Sequence, residues 1–253
     1  MSDILIQVET RLNEILADIK ETTGKQHPTL NDGVQELKKG YEQGDNTPEN
    51  AVYKILEYAE NGYPKKIQYQ APQGLDKTTV HVRAFGNLTN QNSRFMQAIE
   101  EIVVSENIVN LAESAFNNCS ALKRFSNYDN LININKAAFN ACKLEYKYLP
   151  PKVEVIGQSA FSNMGLNISP LIIPETVNSI GLDAFYNSYL TTIMFKSKPE
   201  TLSSRSLNYT RTTDIYVPWA EGEISGAPWG ATNATIHYNT TYDENGNPVV
   251  EEV

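Results

Sequence analysis

One pattern of apolar positions recurs along the middle of the chain. An Ala-Phe pair appears four times at intervals of 22 to 24 residues, ending at Phe116, Phe139, Phe161 and Phe185. Apolar residues stand five and eight positions before each Phe, and further apolar residues stand twelve, fourteen and seventeen positions before it, with breaks at Asn127 and Lys147. Self-similarity with this period predicts a solenoid, in which each repeat buries its apolar side against its neighbours.

A fifth turn keeps the spacing without the Ala-Phe pair. Its apolar residues are Leu190, Ile193, Phe195, Leu202 and Leu207. The first half of each repeat ends in apolar residues that alternate with other types, as in a strand with one buried face. Pro150 and Pro174 follow directly, where a missing N–H ends a strand at little cost. We predict five repeats over residues 99–207, with their strands in a short parallel sheet.

The residues that alternate with the buried strand positions predict two outward columns. The first contains Glu101, Arg124, Tyr146, Pro170 and Thr192, and the second contains Val103, Ser126, Tyr148, Ile172 and Met194. The second column is apolar for a solvent face, and exposed apolar strips usually mark interaction sites, with Tyr and Arg as favoured anchors. The predicted binding residues on these columns are Arg124, Tyr146, Tyr148, Ile172 and Met194, unless residues 210–240 or another subunit cover them.

Lys147 interrupts this register in the third repeat, because it falls in a buried column. Either its stem reaches the rim of the core, or a bulge turns Tyr146 and Tyr148 inward. The two cysteines, Cys119 and Cys142, both stand three residues after a repeat Phe. On neighbouring turns they could form a disulfide, but buried free thiols are the favoured interpretation.

Separate stretches within the first 61 residues have helical spacing. One seam follows a 3,4,3,4 pattern at Leu5, Val8, Leu12, Ile15 and Ile19. This seam predicts an amphipathic helix that forms a short coiled coil or docks on its own chain or a partner. A further helix is predicted to begin at Thr47 and Pro48 and to end near Asn61.

Segments on either side of the repeats are predicted to cover the ends of the solenoid. Strand-like pieces between Tyr63 and Asn92 would cover the first turn. Trp219 and Trp229 lie between two strand-like segments after the last turn, and they either close the core or present flat ring faces to a glycan. The predicted regions are 1–45 (helical anchoring or oligomerisation module), 46–98 (helix plus cap), 99–207 (repeats) and 208–253 (Trp-containing cap and acidic tail).

The repeats resemble the leucine-rich repeats of the BspA type, whose consensus is roughly LxxIxLPxxLxxIgxxAFxxC. The stretches that carry this resemblance are "VEVIGQSAFSNM" (153–164) and "ISPLIIPETVNSIGLDAFYNS" (168–188). The resemblance implies a short strand and a looser return in each turn. The predicted fold class is therefore mixed α/β, a leucine-rich-repeat solenoid with a short parallel sheet, preceded by N-terminal amphipathic helices.

Two other segments resemble parts of tailed-bacteriophage structural proteins. They are "LADIKETTGKQHPTLNDGVQELKKGY" (16–41) and "VPWAEGEISGAPWGATNATIHYN" (217–239). This resemblance implies a virion protein of the tail, baseplate, fibre or head decoration that is assembled in the host cytoplasm. Its N-terminal module would bind other virion proteins, its repeats would bind a host surface protein or glycan, and it would form a homo-oligomer, with a trimer favoured.

Charge and composition exclude several classes of partner. The formal net charge is −9 and the pI is about 4.9, which argues against nucleic acid and anionic membrane surfaces. No stretch is apolar enough to span a bilayer. The chain starts with Met1-Ser2-Asp3-Ile4 and lacks the features of a secretory signal, so cytosolic synthesis and assembly are expected.

Candidate catalytic chemistry is sparse. The three histidines, His27, His81 and His237, lie in separate segments without metal-ligand spacing, and no nucleophile elbow or phosphate-binding glycine loop occurs. We therefore expect no enzyme activity, metal or cofactor. The phage resemblance makes a virion structural protein the main functional hypothesis. A BspA-like cell-surface adhesin and an intracellular protein-binding scaffold are the alternatives.

Overall fold

The computed structural model describes residues 52–60, 64–71, 76–81, 84, 97–146, 148–164 and 170–249 of the 253-residue chain. Within these ranges the elements are short strands and one turn of 3-10 helix, Tyr128–Asn130. In chain order the strands are β1 (Val52–Tyr58), β2 (Pro64–Gln70), β3 (Thr79–Val80), β4 (Glu101–Val103), β5 (Asn110–Leu111), β6 (Arg124–Phe125), β7 (Asn133–Ile134), β8 (Val155–Ile156), β9 (Leu171–Ile173), β10 (Ser179–Ile180), β11 (Thr192–Phe195), β12 (Thr201–Leu202), β13 (Asp214–Tyr216), β14 (Thr235–His237), β15 (Thr241–Tyr242) and β16 (Pro248–Val249).

The first of two sheet ridges consists of the longer strands of successive turns. Its first part has the order β1-β2-β4-β6 and its second part has the order β9-β11-β13-β14. All neighbours are parallel except β1, which runs antiparallel to β2. In the first part, Ile67, Ile102 and Phe125 pair in register and are buried in the core. In the second part, β9 buries Leu171 and Ile173, and β11 buries Ile193 and Phe195.

The second ridge forms one continuous parallel sheet in the order β3-β5-β7-β8-β10-β12. Each of its strands has two residues, and the second residue is buried in every case. These buried residues are Val80, Leu111, Ile134, Ile156, Ile180 and Leu202. The second ridge thus contributes one apolar column to the core, and the first ridge covers the opposite side of that core.

The repeat phenylalanines form a continuous stack between the ridges. Ring centroids of Phe116 and Phe139 are 5.5 Å apart, those of Phe139 and Phe161 are 5.9 Å apart, and those of Phe161 and Phe185 are 5.8 Å apart. All four rings are at most 1% exposed. Each offset ring contact adds about 0.5–1.5 kcal/mol to the burial of apolar area. The predicted role of the Ala-Phe pair in the core is confirmed.

The polar break at Asn127 is satisfied inside the core. Its side-chain Nδ2 donates to the carbonyls of Glu106 (3.1 Å) and Ile108, while its Oδ1 accepts a hydrogen bond from Asn130 Nδ2 (2.7 Å). A buried amide with these partners avoids the cost of an unpaired polar group. The other break in the apolar columns, Lys147, lies outside the described residues, and so does Ile168.

The predicted mixed α/β class is wrong. None of the described elements is an α-helix, and the described chain is a β-solenoid of stacked parallel strands. The helix predicted from Thr47 to Asn61 is replaced over its described part by β1, which pairs with β2. Val, Tyr and Ile are frequent in this segment and favour strands, and the pairing with β2 satisfies the backbone of β1. The other predicted N-terminal helices lie outside the described residues, and nothing supports them.

Candidate functional site

The first ridge is interrupted at the turn that contains residues 145–149. The described residues of this turn form no strand, and the backbone N–H and carbonyl of Phe125 bind a side chain instead of a neighbouring strand. The Tyr146 hydroxyl accepts a hydrogen bond from the Phe125 N–H (3.1 Å) and donates one to the Phe125 carbonyl (2.8 Å). The Tyr146 hydroxyl therefore pairs with both backbone groups of Phe125 that a further strand would otherwise bind.

Three tyrosines cluster at this interruption. The ring of Tyr146 stacks on that of Tyr128 with centroids 3.8 Å apart, and Tyr148 meets Tyr128 edge-on at 5.9 Å. The Tyr128 hydroxyl donates to the Tyr148 carbonyl (2.9 Å), and the Tyr148 hydroxyl donates to Asp129 Oδ1 (3.0 Å). Contacts on the ring and on the hydroxyl thus fix the Tyr148 side chain.

The phenol pKa values of this cluster are all raised. Burial raises the pKa of Tyr128 well above its usual value, and burial also raises the pKa of Tyr146. The hydrogen bond to the Asp129 carboxylate is the main cause of the raised pKa of Tyr148. All three hydroxyls therefore remain protonated and act as hydrogen-bond donors at neutral pH.

Two large apolar side chains of the second outward column are exposed. Tyr148 is 47% exposed and Ile172, one turn further on, is 44% exposed. Pro170 of the first column is also exposed. We call Arg124, Tyr146, Tyr148 and Ile172 the ridge face. The half-buried Tyr146 supports this surface, and it turns partly inward as one of the two sequence interpretations expects.

A line of paired charges borders the ridge face on its N-terminal side. Glu101 contacts Lys66 Nζ (2.7 Å) and Arg124 Nε (3.2 Å), and Arg124 also lies 3.5 Å from Glu145. The hydrogen bond from Lys66 is the main cause of the lowered pKa of Glu101. These exposed pairs contribute little to stability, but they fix the sign and position of charge beside Tyr148.

Met194 does not belong to the exposed part of the column, contrary to prediction. It is 4% exposed, although it points away from the core residues Ile193 and Phe195 that flank it in β11. The hairpin β15–β16 docks beside it: the Tyr242 hydroxyl donates to the Phe195 carbonyl (2.8 Å), and Lys196 Nζ lies 3.4 Å from the centre of the Tyr242 ring. We attribute the burial of Met194 to this hairpin.

The two tryptophans are buried at the C-terminal end of the core. Trp219 is 4% exposed and Trp229 is fully buried. Their ring centroids are 6.0 Å apart, and each ring contacts Phe195. Trp229 Nε1 donates to the Ser225 carbonyl (3.2 Å), while Trp219 Nε1 has no partner among the described residues. Neither indole offers a ring face to a glycan.

The cysteines, the N-terminal seam and possible metal or membrane features remain to be placed. Cys119 and Cys142 are buried and form no disulfide, with Cys142 Sγ 3.1 Å from the Phe116 carbonyl, and burial raises the pKa of Cys119 to about 12. The seam at Leu5, Val8, Leu12, Ile15 and Ile19 lies outside the described residues. In the part of the chain that the structure describes, no group of acidic, His or Cys side chains could hold a metal, and no helix could cross a membrane.

Sequence reasoning missed the continuation of the ridge beyond the fifth turn. Asp214 and Tyr216 pair with Thr192 and Met194, and His237 pairs in turn with Tyr216. His237 Nε2 lies 3.0 Å from Asp214 Oδ1, and its ring stacks on Tyr216 at 4.3 Å. The 22-residue step from Thr192 to Asp214 was the available signal.

Comparisons with solved structures return repeat proteins of low identity. A leucine-rich cell surface protein from Faecalibacterium prausnitzii is 16% identical with a TM-score of 0.48, covering 81% of this chain and 60% of that one. A leucine-rich repeat protein from Bacteroides ovatus is 20% identical with a TM-score of 0.42, covering 68% and 47%. The T. pallidum leucine-rich repeat protein is 18% identical with a TM-score of 0.41, covering 76% and 81%. The chain therefore spans less than two thirds of the first two proteins.

The family comparison is specific. No curated protein matches the chain, and none of the comparisons links it to tailed-bacteriophage structural proteins, so the phage resemblance is not supported. The model of the BspA type leucine-rich repeat region matches residues 81–217 in six copies, which is more than half of the chain. This chain belongs to the BspA-type leucine-rich repeat family.

Proposed function

We propose that the chain is a non-enzymatic binding protein that acts as an adhesin at a cell surface. The observation that carries this proposal is the exposure of Tyr148 and Ile172 on the ridge of a closely packed solenoid. Membership of the BspA-type family supports the adhesin role over the virion role. Exposed apolar side chains on a rigid scaffold are typical of interaction sites.

The partner that fits the ridge face is a protein. Tyr148 is held by the edge contact to Tyr128 and by the hydrogen bond to Asp129, so binding would cost little side-chain entropy. Tyr and Arg are the residue types that most often dominate binding energy, and Ile172 adds apolar area beside them. The bordering pairs of Glu101 and Arg124 would orient the partner without adding much affinity.

The location is tested by antibody labelling of the source strain. Antibody against residues 99–249 is applied to intact cells, to permeabilised cells and to any particles released after prophage induction. Labelling of intact cells supports the adhesin. Labelling only after permeabilisation would mean an intracellular scaffold, and labelling of particles alone would restore the virion hypothesis.

The binding role is tested with variants of the ridge face on intact target cells. Tyr148→Ala and Ile172→Ser should each weaken cell binding of the purified chain about tenfold, since a central anchor is worth more than about 1.4 kcal/mol. Tyr58→Ala is the matched control, because Tyr58 is 56% exposed on β1, away from the ridge face. Equal binding by wild type and both ridge variants would refute this site.

A further inference from the structure

A second exposed surface lies on the return segments of the fourth and fifth turns. We call it the aromatic corner, and it contains Tyr186, Asn187, Tyr189, Tyr209 and Arg211. Tyr186 and Tyr209 meet edge-on with centroids 5.2 Å apart, and the Arg211 guanidinium lies 4.5 Å from the centre of the Tyr189 ring. Each of these two contacts joins neighbouring turns, and Asn187 lies between Tyr186 and Tyr189 in the chain.

Tyr209 occupies a position that disfavours a bulky side chain. Its φ is 56°, in the left-handed region, and the equivalent residues of earlier turns are small or amide side chains. Those residues are Asn118, Ala141, Asn163 and Asn187. The left-handed backbone therefore belongs to the repeat, and what is uncommon at this position is the Tyr side chain. Tyr209 is also 71% exposed, so packing in the core does not explain the choice of an aromatic residue here.

A ladder of asparagine amides runs along the turns and ends at the aromatic corner. Asn140 Nδ2 donates to Asn117 Oδ1 (2.8 Å), Asn163 to Asn140 (3.1 Å), and Asn187 to Asn163 (3.1 Å). Within the described residues the Asn187 Oδ1 accepts no hydrogen bond, because the next left-handed position is Tyr209 instead of another Asn. An open acceptor therefore lies next to an exposed aromatic ring.

Arg211 differs from the other described arginines in its partners. Arg124 lies 3.2 Å from Glu101, and Arg205 lies 3.3 Å from Asp183. Arg211 is exposed and has no carboxylate within ion-pair distance among the described residues; its contact is the face of Tyr189. A guanidinium stacked on an aromatic ring keeps its in-plane N–H groups available for a planar anion.

From these features we infer that the aromatic corner binds an acidic saccharide, a glycan whose terminal sugar carries a carboxylate. The Tyr209 ring packs against the C–H face of the sugar, whose slightly positive hydrogens are attracted to the negative ring face. Arg211 pairs with the carboxylate, and Asn187 Oδ1 accepts a hydrogen bond from a sugar hydroxyl. The charge of Arg211 selects acidic sugars over neutral ones.

A sugar fits this corner better than a protein does. The ridge face exposes the aliphatic Ile172 beside Tyr148, whereas the aromatic corner exposes no large aliphatic side chain. The exposed large apolar residues of the aromatic corner are Tyr189 and Tyr209. Both rings carry a hydroxyl and stand beside amide and guanidinium groups, and sugars need this mixture of ring faces and hydrogen-bonding groups.

The test measures binding of defined saccharides to the purified chain by saturation-transfer NMR and titration. The probes are 3′-sialyllactose, tetragalacturonate and lactose, which is the neutral core of the first probe. Both acidic probes should bind, and 3′-sialyllactose should bind about tenfold more tightly than lactose, as one charge-assisted pair implies. Equal affinity for 3′-sialyllactose and lactose would overturn the assignment.

Two variants locate the site. Tyr209→Asn removes the ring and restores the residue type of earlier left-handed positions, so the fold is expected to persist, and Arg211→Gln removes the charge. Each should weaken binding of the acidic probes about tenfold, whereas Tyr148→Ala should leave it unchanged. Wild-type affinity in both variants, or binding of a polyglutamate peptide with no binding of saccharides, would overturn the proposal. Because Tyr148 lies on the ridge face, unchanged saccharide binding by Tyr148→Ala would show that the two surfaces bind independently. Failure of one proposal then leaves the other standing.

Discussion

At the scale of single residues, Tyr146 takes the place of a strand. Its hydroxyl binds both backbone groups of Phe125 that the next strand of the ridge would otherwise bind. Its ring stacks on Tyr128, which itself belongs to the hydrophobic core. The same side chain also meets the ring of the exposed Tyr148 edge-on, with centroids 6.0 Å apart.

The first prediction concerns the hydroxyl of Tyr146. Tyr146→Phe keeps the ring stacked on Tyr128 but leaves the Phe125 N–H and carbonyl without their partner. The free energy of unfolding should fall by about 1–3 kcal/mol, the cost of an unsatisfied polar group at a partly buried sheet edge. Denaturant unfolding measures the change.

The matched control is Tyr148→Phe, which loses one exposed hydrogen bond to Asp129 and should cost less than about 1 kcal/mol. Equal losses in the two variants would contradict this role.

The sequence is a good guide to single positions wherever the repeat spacing is regular. The buried columns are confirmed at Leu111, Ile134, Ile156 and Ile180, which are at most 2% exposed. In the sequence, Lys147 marks the place where the apolar register is broken. The arrangement next to it depends on the Tyr146 hydroxyl, which binds the backbone of Phe125 in the preceding turn. A one-dimensional pattern contains no information about such a contact. Sequence reasoning therefore predicted that Tyr148 and Ile172 are exposed, but it could not predict the hydrogen bonds of Tyr146 to Phe125.

At the scale of elements, local signals and long-range pairing disagree twice. Thr47 and Pro48 favour the start of a helix, but a strand in this region can pair with β2 and join the first sheet, and β1 results. Met194 fits an outward column, but it is buried where β13 pairs with β11 and where Tyr242 of the hairpin contacts Phe195 and Lys196. In both cases the deciding partner lies elsewhere in the sequence. In the periodic middle of the chain, the pairing partner of each strand is the equivalent strand of the next repeat, so the sequence period predicts it.

The second prediction concerns the hairpin β15–β16. A chain that ends at Thr240 loses the Tyr242 contacts to Phe195 and Lys196, and Met194 becomes accessible. The solenoid should still fold, with a free energy of unfolding lower by about 1–3 kcal/mol, because the lost apolar burial at the half-buried Tyr242 and at Met194 amounts to about one side chain. Thermal unfolding followed by circular dichroism checks this value. A chain that ends at Val249 is the control and should match the full chain. An unfolded product of the shorter truncation would show that the hairpin is essential to the fold.

At the scale of the whole molecule, the first ridge presents a different kind of surface in each of its parts. The N-terminal part carries paired charges, the middle carries Tyr148 and Ile172, and the C-terminal part is covered by the hairpin. The return segments carry the aromatic corner, which faces neither the core nor the ridge strands. Because each turn contacts only its neighbours, such surfaces can differ from turn to turn while the core stays constant.

The third prediction is the dependence of whole-chain stability on pH. The pKa of Glu101 is lowered mainly by the hydrogen bond from Lys66, and that of Asp214 mainly by the hydrogen bond from His237. A carboxyl group with a lowered folded pKa stabilises the fold above its unfolded pKa, about 4, and that contribution disappears as the pH falls through the folded value. Burial raises the pKa of Tyr69 and of Tyr242 to about 12. Their contribution is complete below the unfolded pKa of about 10 and is lost as the pH rises towards 12.

The melting temperature should therefore be nearly constant from about pH 7 to 9 and should fall below about pH 4 and above about pH 10. Differential scanning calorimetry from about pH 2 to about pH 12 measures the plateau and both falls. Asp214→Asn should reduce the acid-side fall, because the amide cannot lose a charge there. Tyr242→Phe should reduce the alkaline fall, since the ring under Lys196 is kept while the titrating hydroxyl is removed. A melting temperature that rises on acidification, or that is insensitive to both substitutions, would show that these hydrogen-bonded and buried groups do not control the stability of the solenoid.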